Sequence, residues 1–164
     1  MTQESKKFTQ APLPFMGQKR RFLNQVKEVL SRCPNDAIYV DLFGGSGLLS
    51  HTIKQYYPNA TVVYNDYDNY RTRLKNVPQT NKMIADIRVI LVNIQKDKRI
   101  QEPERSLILA RVLKEEQTAG YVDYITLSSN VLFSMKYVKS YDELAKETLY
   151  NCVRMNDYNA ENYW

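Results

Sequence analysis

Four residues, Gly44-Gly45-Ser46-Gly47, decide much of what this chain can become, and they hold three of its five glycines. They follow Ala37-Ile38-Tyr39-Val40-Asp41-Leu42-Phe43, a short apolar run that reads as a buried strand feeding a tight turn. Residues 48–57 then have helical spacing and stop at Pro58-Asn59. Thr61-Val62-Val63-Tyr64 reads as a second strand, closed by Asn65-Asp66. Strand, glycine turn, helix and strand make a βαβ unit with parallel strands, so this end of the chain belongs to the α/β class.

The rest of the chain has a different pattern. Residues 1–13 read as an irregular lead-in. Over 18–33 the apolar side chains Phe22, Leu23, Val26, Val29, Leu30 and Cys33 recur at helical spacing, with Pro34 as the stop. Beyond Asp66, helices are expected over 70–77 and 81–95, separated by Pro78. Pro103 suits the first turn of a helix running to about Thr118, with Gly120 as its stop. Residues 121–133 fit helix or strand. Ser140-Tyr141-Asp142-Glu143 is a capping box that predicts a last helix to about Cys152. The expected organisation is a partial doubly wound sheet over 1–77, a helical domain over 78–155, and the start of a return to the α/β domain over 156–164.

Composition excludes several classes. With 164 residues, 43% hydrophobic and 25% charged, the chain has the profile of a globular protein able to bury a core. No apolar run approaches the roughly 20 residues of a membrane-spanning helix. The opening Met1-Thr2-Gln3-Glu4-Ser5-Lys6-Lys7 leads into no signal-peptide core, so a cytoplasmic protein with no membrane partner is expected. Cys33 and Cys152 have no metal spacing and read as reduced thiols, and the single histidine, His51, argues against a histidine-based zinc site. A net charge of +5 is compatible with a polyanionic partner. Thirteen tyrosines suit the stacking of bases or an adenine ring, and suit the margin of a core equally.

Three segments carry chemistry. Glycines after a strand let the backbone approach a ligand, and α/β folds bind ligands at the carboxyl ends of their strands. A tight packing turn is the alternative. The loop is neither G-x-x-x-x-G-K-[ST] nor G-x-G-x-x-G, which argues against a triphosphate or a dinucleotide. Asp66 lies about twenty residues beyond the glycines, where a carboxylate can accept from ribose hydroxyls; a strand-end turn or helix cap also fits. In Pro14-Phe15-Met16-Gly17-Gln18-Lys19-Arg20-Arg21 a glycine and a cation at a helix start suit an anionic group, while Arg20 and Arg21 also fit a solvated face.

Together and in this order, these segments resemble the N-terminal part of a D12-class, Dam-like, adenine-specific DNA N6-methyltransferase. Phe15-Met16-Gly17-Gln18-Lys19 resembles that family's opening motif. Asp41-Leu42-Phe43-Gly44-Gly45-Ser46-Gly47 is similar to its methionine-site loop, and Val63-Tyr64-Asn65-Asp66-Tyr67 to its second-strand motif. The resemblance implies a Rossmann-like methyltransferase sheet, S-adenosylmethionine as cofactor and double-stranded DNA as substrate, in a restriction-modification setting. By it, Phe15, Met16, Gly17 and Lys19, with Asp41, Phe43, Gly44, Gly45, Ser46 and Gly47, cradle the methionine end, while Asp66 and Tyr67 hold the ribose side. Gln18 departs from the family, which usually has a second glycine there.

A larger departure concerns catalysis. In this family an Asp-Pro-Pro-Tyr motif holds the N6 amine of a flipped adenine. Here the six prolines, at 12, 14, 34, 58, 78 and 103, are never adjacent, so no catalytic residue is assigned. The chain alone is expected to be inactive, and three explanations of the gap stay open: an interrupted gene, a shortened chain, or a separate chain supplying the catalytic half. A non-catalytic DNA- or protein-binding remnant is one rival and a structural remnant with neither activity another; in the latter an open sheet edge would favour self-association, and either makes a homo-oligomer more plausible. In the segment where the family reads its target, Ser129 and Asn130 suit base edges, and Lys136 and Lys139 suit phosphates. A helix connection with surface lysines fits those residues as well.

Overall fold

The computed structural model describes residues 8–17, 19–133 and 136–163. Gln18, the departure noted above, lies outside them. The chain divides into two compact units, Met1–Leu74 with Asn159–Trp164, and Lys75–Tyr158.

The first unit is mixed helix and strand with a small parallel sheet of two strands, in keeping with the α/β class expected from sequence. A short 3-10 turn, Lys19–Phe22, runs into α1, Leu23–Leu30, which buries Leu23 and Leu30. Strand β1, Ile38–Asp41, is joined through α2, Leu48–Tyr56, to β2, Thr61–Tyr64. The strands pair in parallel, Ile38 opposite Thr61 and Val40 opposite Val63. Side chains alternate across a sheet, so this register puts those four residues on one face. That face is exposed, whereas Tyr39, Val62 and Tyr64 on the other are half-buried. The end of α1 is tied down by Tyr57, whose hydroxyl lies 2.5 Å from the Leu30 carbonyl and 3.0 Å from that of Cys33.

A short helix, α3, spans Tyr70–Lys75. The second unit is helical, with α4 over Val77–Ile90, α5 over Glu104–Ala119, α6 over Tyr124–Val131 and α7 over Tyr141–Ala145. Its core joins Met83, Ile84 and Ile87 of α4 to Ile108 and Val112 of α5 and to Leu127 and Val131 of α6. Helices α3 and α4 do divide, as expected from sequence, but at Asn76 rather than at Pro78, and the second ends at Ile90 rather than near Gln95. Pro78 sits in the first turn of α4, where a missing N–H costs no hydrogen bond. The open choice at 121–133 resolves as helix, because buried Asp123 accepts from the Thr126 N–H at 3.0 Å and caps α6.

Helix α7 begins at Ser140 as predicted, with its Oγ accepting from the Glu143 N–H at 3.3 Å. It ends at Ala145 rather than near Cys152, because the following backbone pairs elsewhere: Ile100 donates to Leu149 at 2.8 Å and Asn151 to Lys98 at 2.9 Å. Gly120, at φ +67°, ends α5 in the left-handed conformation that favours glycine. Among the described residues, no helix is long and apolar enough to cross a membrane.

Candidate functional site

Where β1 ends, the chain turns through Leu42 to Gly47 before entering α2. Gly44 is the tightest point. A Cβ there would lie 2.0 Å from Tyr64 Cε2 and 2.7 Å from the Asn65 carbonyl, so no other residue fits. Gly45 has φ +51°, and a Cβ on it would stand 3.0 Å from the Phe15 ring. Asp41 is buried and accepts from Ser50 Oγ at 2.9 Å, joining the end of β1 to the first turn of α2.

Successive carbonyls of this turn are all engaged. That of Leu42 accepts from Asn65 Nδ2 at 3.0 Å, and that of Phe43 from the Lys19 ammonium. The Gly44 carbonyl accepts from the Gly47 N–H at 2.7 Å. Tyr64 donates to Gly45 at 2.5 Å, and Tyr163 to Ser46 at 2.9 Å. Burial, reinforced by the Asp66 carboxylate, holds the Tyr64 phenol far above its ordinary pKa. Burial, with Tyr70 and Tyr64 nearby, does the same for Tyr163. Both hydroxyls therefore keep their protons and remain donors.

The turn lines a cavity of about 440 Å³ together with Phe15, Gly17, Lys19, Tyr67 and Asp68. Of the residues expected from sequence, Phe15, Gly17, Lys19, Phe43, Gly44, Gly45, Ser46 and Tyr67 line it; Met16, Asp41, Gly47 and Asp66 do not. Asp66 accepts from the backbone N–H of Tyr70 at 2.6 Å and of Arg71 at 3.1 Å. Tyr64 reaches the same carboxylate at 3.0 Å. Its oxygens thus cap α3, the second of the two readings left open for it. Sequence reasoning missed Leu42, Leu48, Leu49, Asn65 and Asp68. Asp68 carried a signal, a second carboxylate just past the strand end; the leucines carried none.

A second hollow, about 740 Å³, lies between α2 and β2 and includes His51, Gln55, Val62 and Tyr163. Its His51, Gln55 and Lys54 side chains are bonded within the unit. His51 Nδ1 is 2.9 Å from the Tyr163 carbonyl and its Nε2 is 2.7 Å from Gln55 Nε2, the pattern of a neutral ring donating from Nδ1. Lys54 donates to the Ala60 carbonyl at 2.8 Å. Burial lowers the His51 pKa, against an upward pull from the Tyr163 carbonyl.

In the helical unit, Asn130 is 1% exposed. Its amide donates to the Thr126 carbonyl at 2.8 Å and to Tyr158 at 3.0 Å, and accepts from the Arg154 N–H at 3.1 Å. These bonds hold the unit together and turn the side chain away from solvent. Ser129 donates to the Thr126 carbonyl at 2.8 Å. Lys136 is exposed and pairs with Glu147 at 2.6 Å, and Lys139 is exposed. Among the described residues, no group of three or more His, Cys, Asp or Glu side chains is placed to hold a metal ion.

A cavity built on a glycine turn lies here at the carboxyl end of a parallel strand, the place where α/β folds bind ligands. Residues 15–147 match the family described as D12 class N6 adenine-specific DNA methyltransferase, and the chain belongs to that family. It is similar to a protein of Haemophilus influenzae strain Rd that bears the name of a methyltransferase, with 42% identity over 168 residues. The match covers 96% of this chain and 54% of that protein, so the chain spans about half the length of this relative. No solved structure matches it.

Proposed function

We propose that this chain supplies the S-adenosylmethionine-binding part of a DNA adenine-N6 methyltransferase, on a Rossmann-like sheet. The observation that carries this reading is the cavity at the glycine turn, in a chain of this family. The residues fit such a cofactor. A volume of about 440 Å³ is that of a small-molecule site, and Gly44 and Gly45 bring bare backbone to its wall. Lys19 has three donors, of which one reaches Phe43, and its charge suits a carboxylate. The exposed rings of Phe43 and Tyr67 suit stacking on an adenine, and Asp68 suits ribose hydroxyls. When bound, the sulfonium of the cofactor supplies the methyl group.

Methyl transfer itself requires a group that orients the acceptor amine, and no Asp-Pro-Pro-Tyr occurs in these 164 residues. The transfer therefore belongs to an assembly in which a further polypeptide segment carries that motif. For double-stranded DNA, Lys136 and Lys139 contribute charge to the phosphates. Asn130, spent inside the helical unit, and Ser129, bonded to the α6 backbone, support the fold.

Calorimetric titration of S-adenosylmethionine into the chain tests the cofactor reading. Saturable binding is expected, weakened by Tyr67→Ala and by Lys19→Gln; no binding at high cofactor excess overturns it. Asp66→Ala is a poor control, because it also removes the cap of α3. Labelled methyl transfer into duplex DNA by this chain alone would overturn the need for a further segment. Lys136→Gln and Lys139→Gln should each lower the salt slope of DNA binding by about one.

A further inference from the structure

The backs of the glycine turn and the front of the cavity are linked through peptide geometry. In a trans peptide the carbonyl of one residue and the N–H of the next point in opposite directions. Whatever holds a carbonyl therefore aims the neighbouring N–H. Tyr64 holds the Gly45 carbonyl at 2.5 Å, which sets the direction of the Ser46 N–H. Tyr163 holds the Ser46 carbonyl at 2.9 Å, which sets the Gly47 N–H on the Gly44 carbonyl and closes the turn. Gly45 and Ser46 both line the cavity.

We infer that Tyr64 and Tyr163 are positioning residues that hold the Gly45 and Ser46 carbonyls behind the turn, so that, with the Gly47 N–H closing the turn on Gly44, the Ser46 N–H is offered to the carboxylate end of its ligand. Three observations carry this. The five consecutive carbonyls from Leu42 to Ser46 all have donors within the same unit. The two hydroxyls are held protonated by burial, so the latch is present throughout the physiological pH range. The only formal cation lining the cavity among the described residues is Lys19, whose ammonium reaches the same turn. Tyr163 comes from the segment Asn159–Trp164, 117 residues from Ser46, and is 1% exposed, with its ring stacked on His51 at 4.9 Å. That segment thus acts on the ligand without touching it, and ligand binding and docking of the segment must favour each other.

The inference rests on the cofactor reading above, and two probes separate the two. S-adenosylhomocysteine has the amino-acid end; 5′-methylthioadenosine has the adenosine and sulfur but no carboxylate. Tyr163→Phe keeps the ring and loses the hydroxyl. In calorimetric titrations of the full chain it should weaken S-adenosylhomocysteine about fivefold or more, and leave 5′-methylthioadenosine within about twofold. Tyr64→Phe should show the same selectivity. Equal weakening of both probes marks a loss of folded structure and overturns the positioning role, as does unchanged binding of both. A wild-type chain that binds neither probe overturns the cofactor reading instead.

Discussion

The two units solve the burial of apolar side chains differently. In Lys75–Tyr158 the helices enclose one cluster, with Ile84, Ile87, Ile108, Val112, Leu127 and Val131 all inaccessible to solvent. In the α/β unit Ile38 is 69% exposed, Val40 58% and Val63 48%. The side chains are of the same chemical kind. What differs is geometry: α4, α5 and α6 turn their apolar stripes toward one another, whereas a parallel sheet has two faces and needs cover on both. Two four-residue strands with one face in water bury little themselves, and the core of this unit comes from side chains outside them, such as Leu13, Leu48, Tyr70 and Tyr163.

The sharpest way to break this contrast is truncation at matched positions. Ile108→Ala and Ile87→Ala should each cost about 2–5 kcal/mol in denaturant unfolding, because each empties a closed cluster. Val40→Ala should cost under about 0.5 kcal/mol, since its side chain already faces water. Equal costs would mean that the sheet face is covered in solution.

Glycines give the next comparison. Gly44→Ala forces a Cβ into the Tyr64 ring and should cost about 1–3 kcal/mol and abolish ligand binding, read by thermal melting and titration. Gly120→Ala meets no atom within 4 Å and strains only the φ of +67°, so about 1 kcal/mol is expected with ligand binding intact. A third test concerns helix starts. Asp123→Ala removes a buried cap and should destabilise the helical unit by about 1 kcal/mol.

The smallest effect is a pH dependence confined to the α/β unit. Burial puts the folded His51 pKa below the ordinary 6.5, so on acidification the unfolded chain takes up the proton first. The His51 contribution is complete above about pH 6.5 and is lost as pH falls through the lower folded value. His51→Gln should flatten that part of the pH–stability curve; a steeper curve in the variant would reverse the assigned sign.

Much of this was legible in the residues themselves. A short apolar run ending in glycines specifies strand and turn by local sterics, whereas the contact that requires Gly44 is with Tyr64 at the end of β2. Pro103 and Gly120 bounded α5 for equally local reasons. Pro78 marked the division between two helices but was placed in the gap, whereas it stands in the first turn of the second, where a proline is equally at home. The length of α7 was overestimated because residues 147–152 have helical composition but find backbone partners at 98–100.

At the candidate site, the glycine turn and the cation Lys19 have a chemistry readable in the chain alone, whereas Phe15, Ser46 and Tyr67 were expected through the family resemblance; all of them line the cavity. For Asp66 a ribose role and a helix start stood open, because a carboxylate after a strand serves either, while Asp68, which lines the cavity, was not singled out. Tyr163 could not be found at all. Local sterics and hydrophobic spacing, carried by neighbouring residues, settled the strands, the turn and most helices. Tertiary folding decided which carboxylate capped a helix, which face of the sheet stayed in water, and which distant hydroxyl backed the turn, because each depends on groups brought together across the chain.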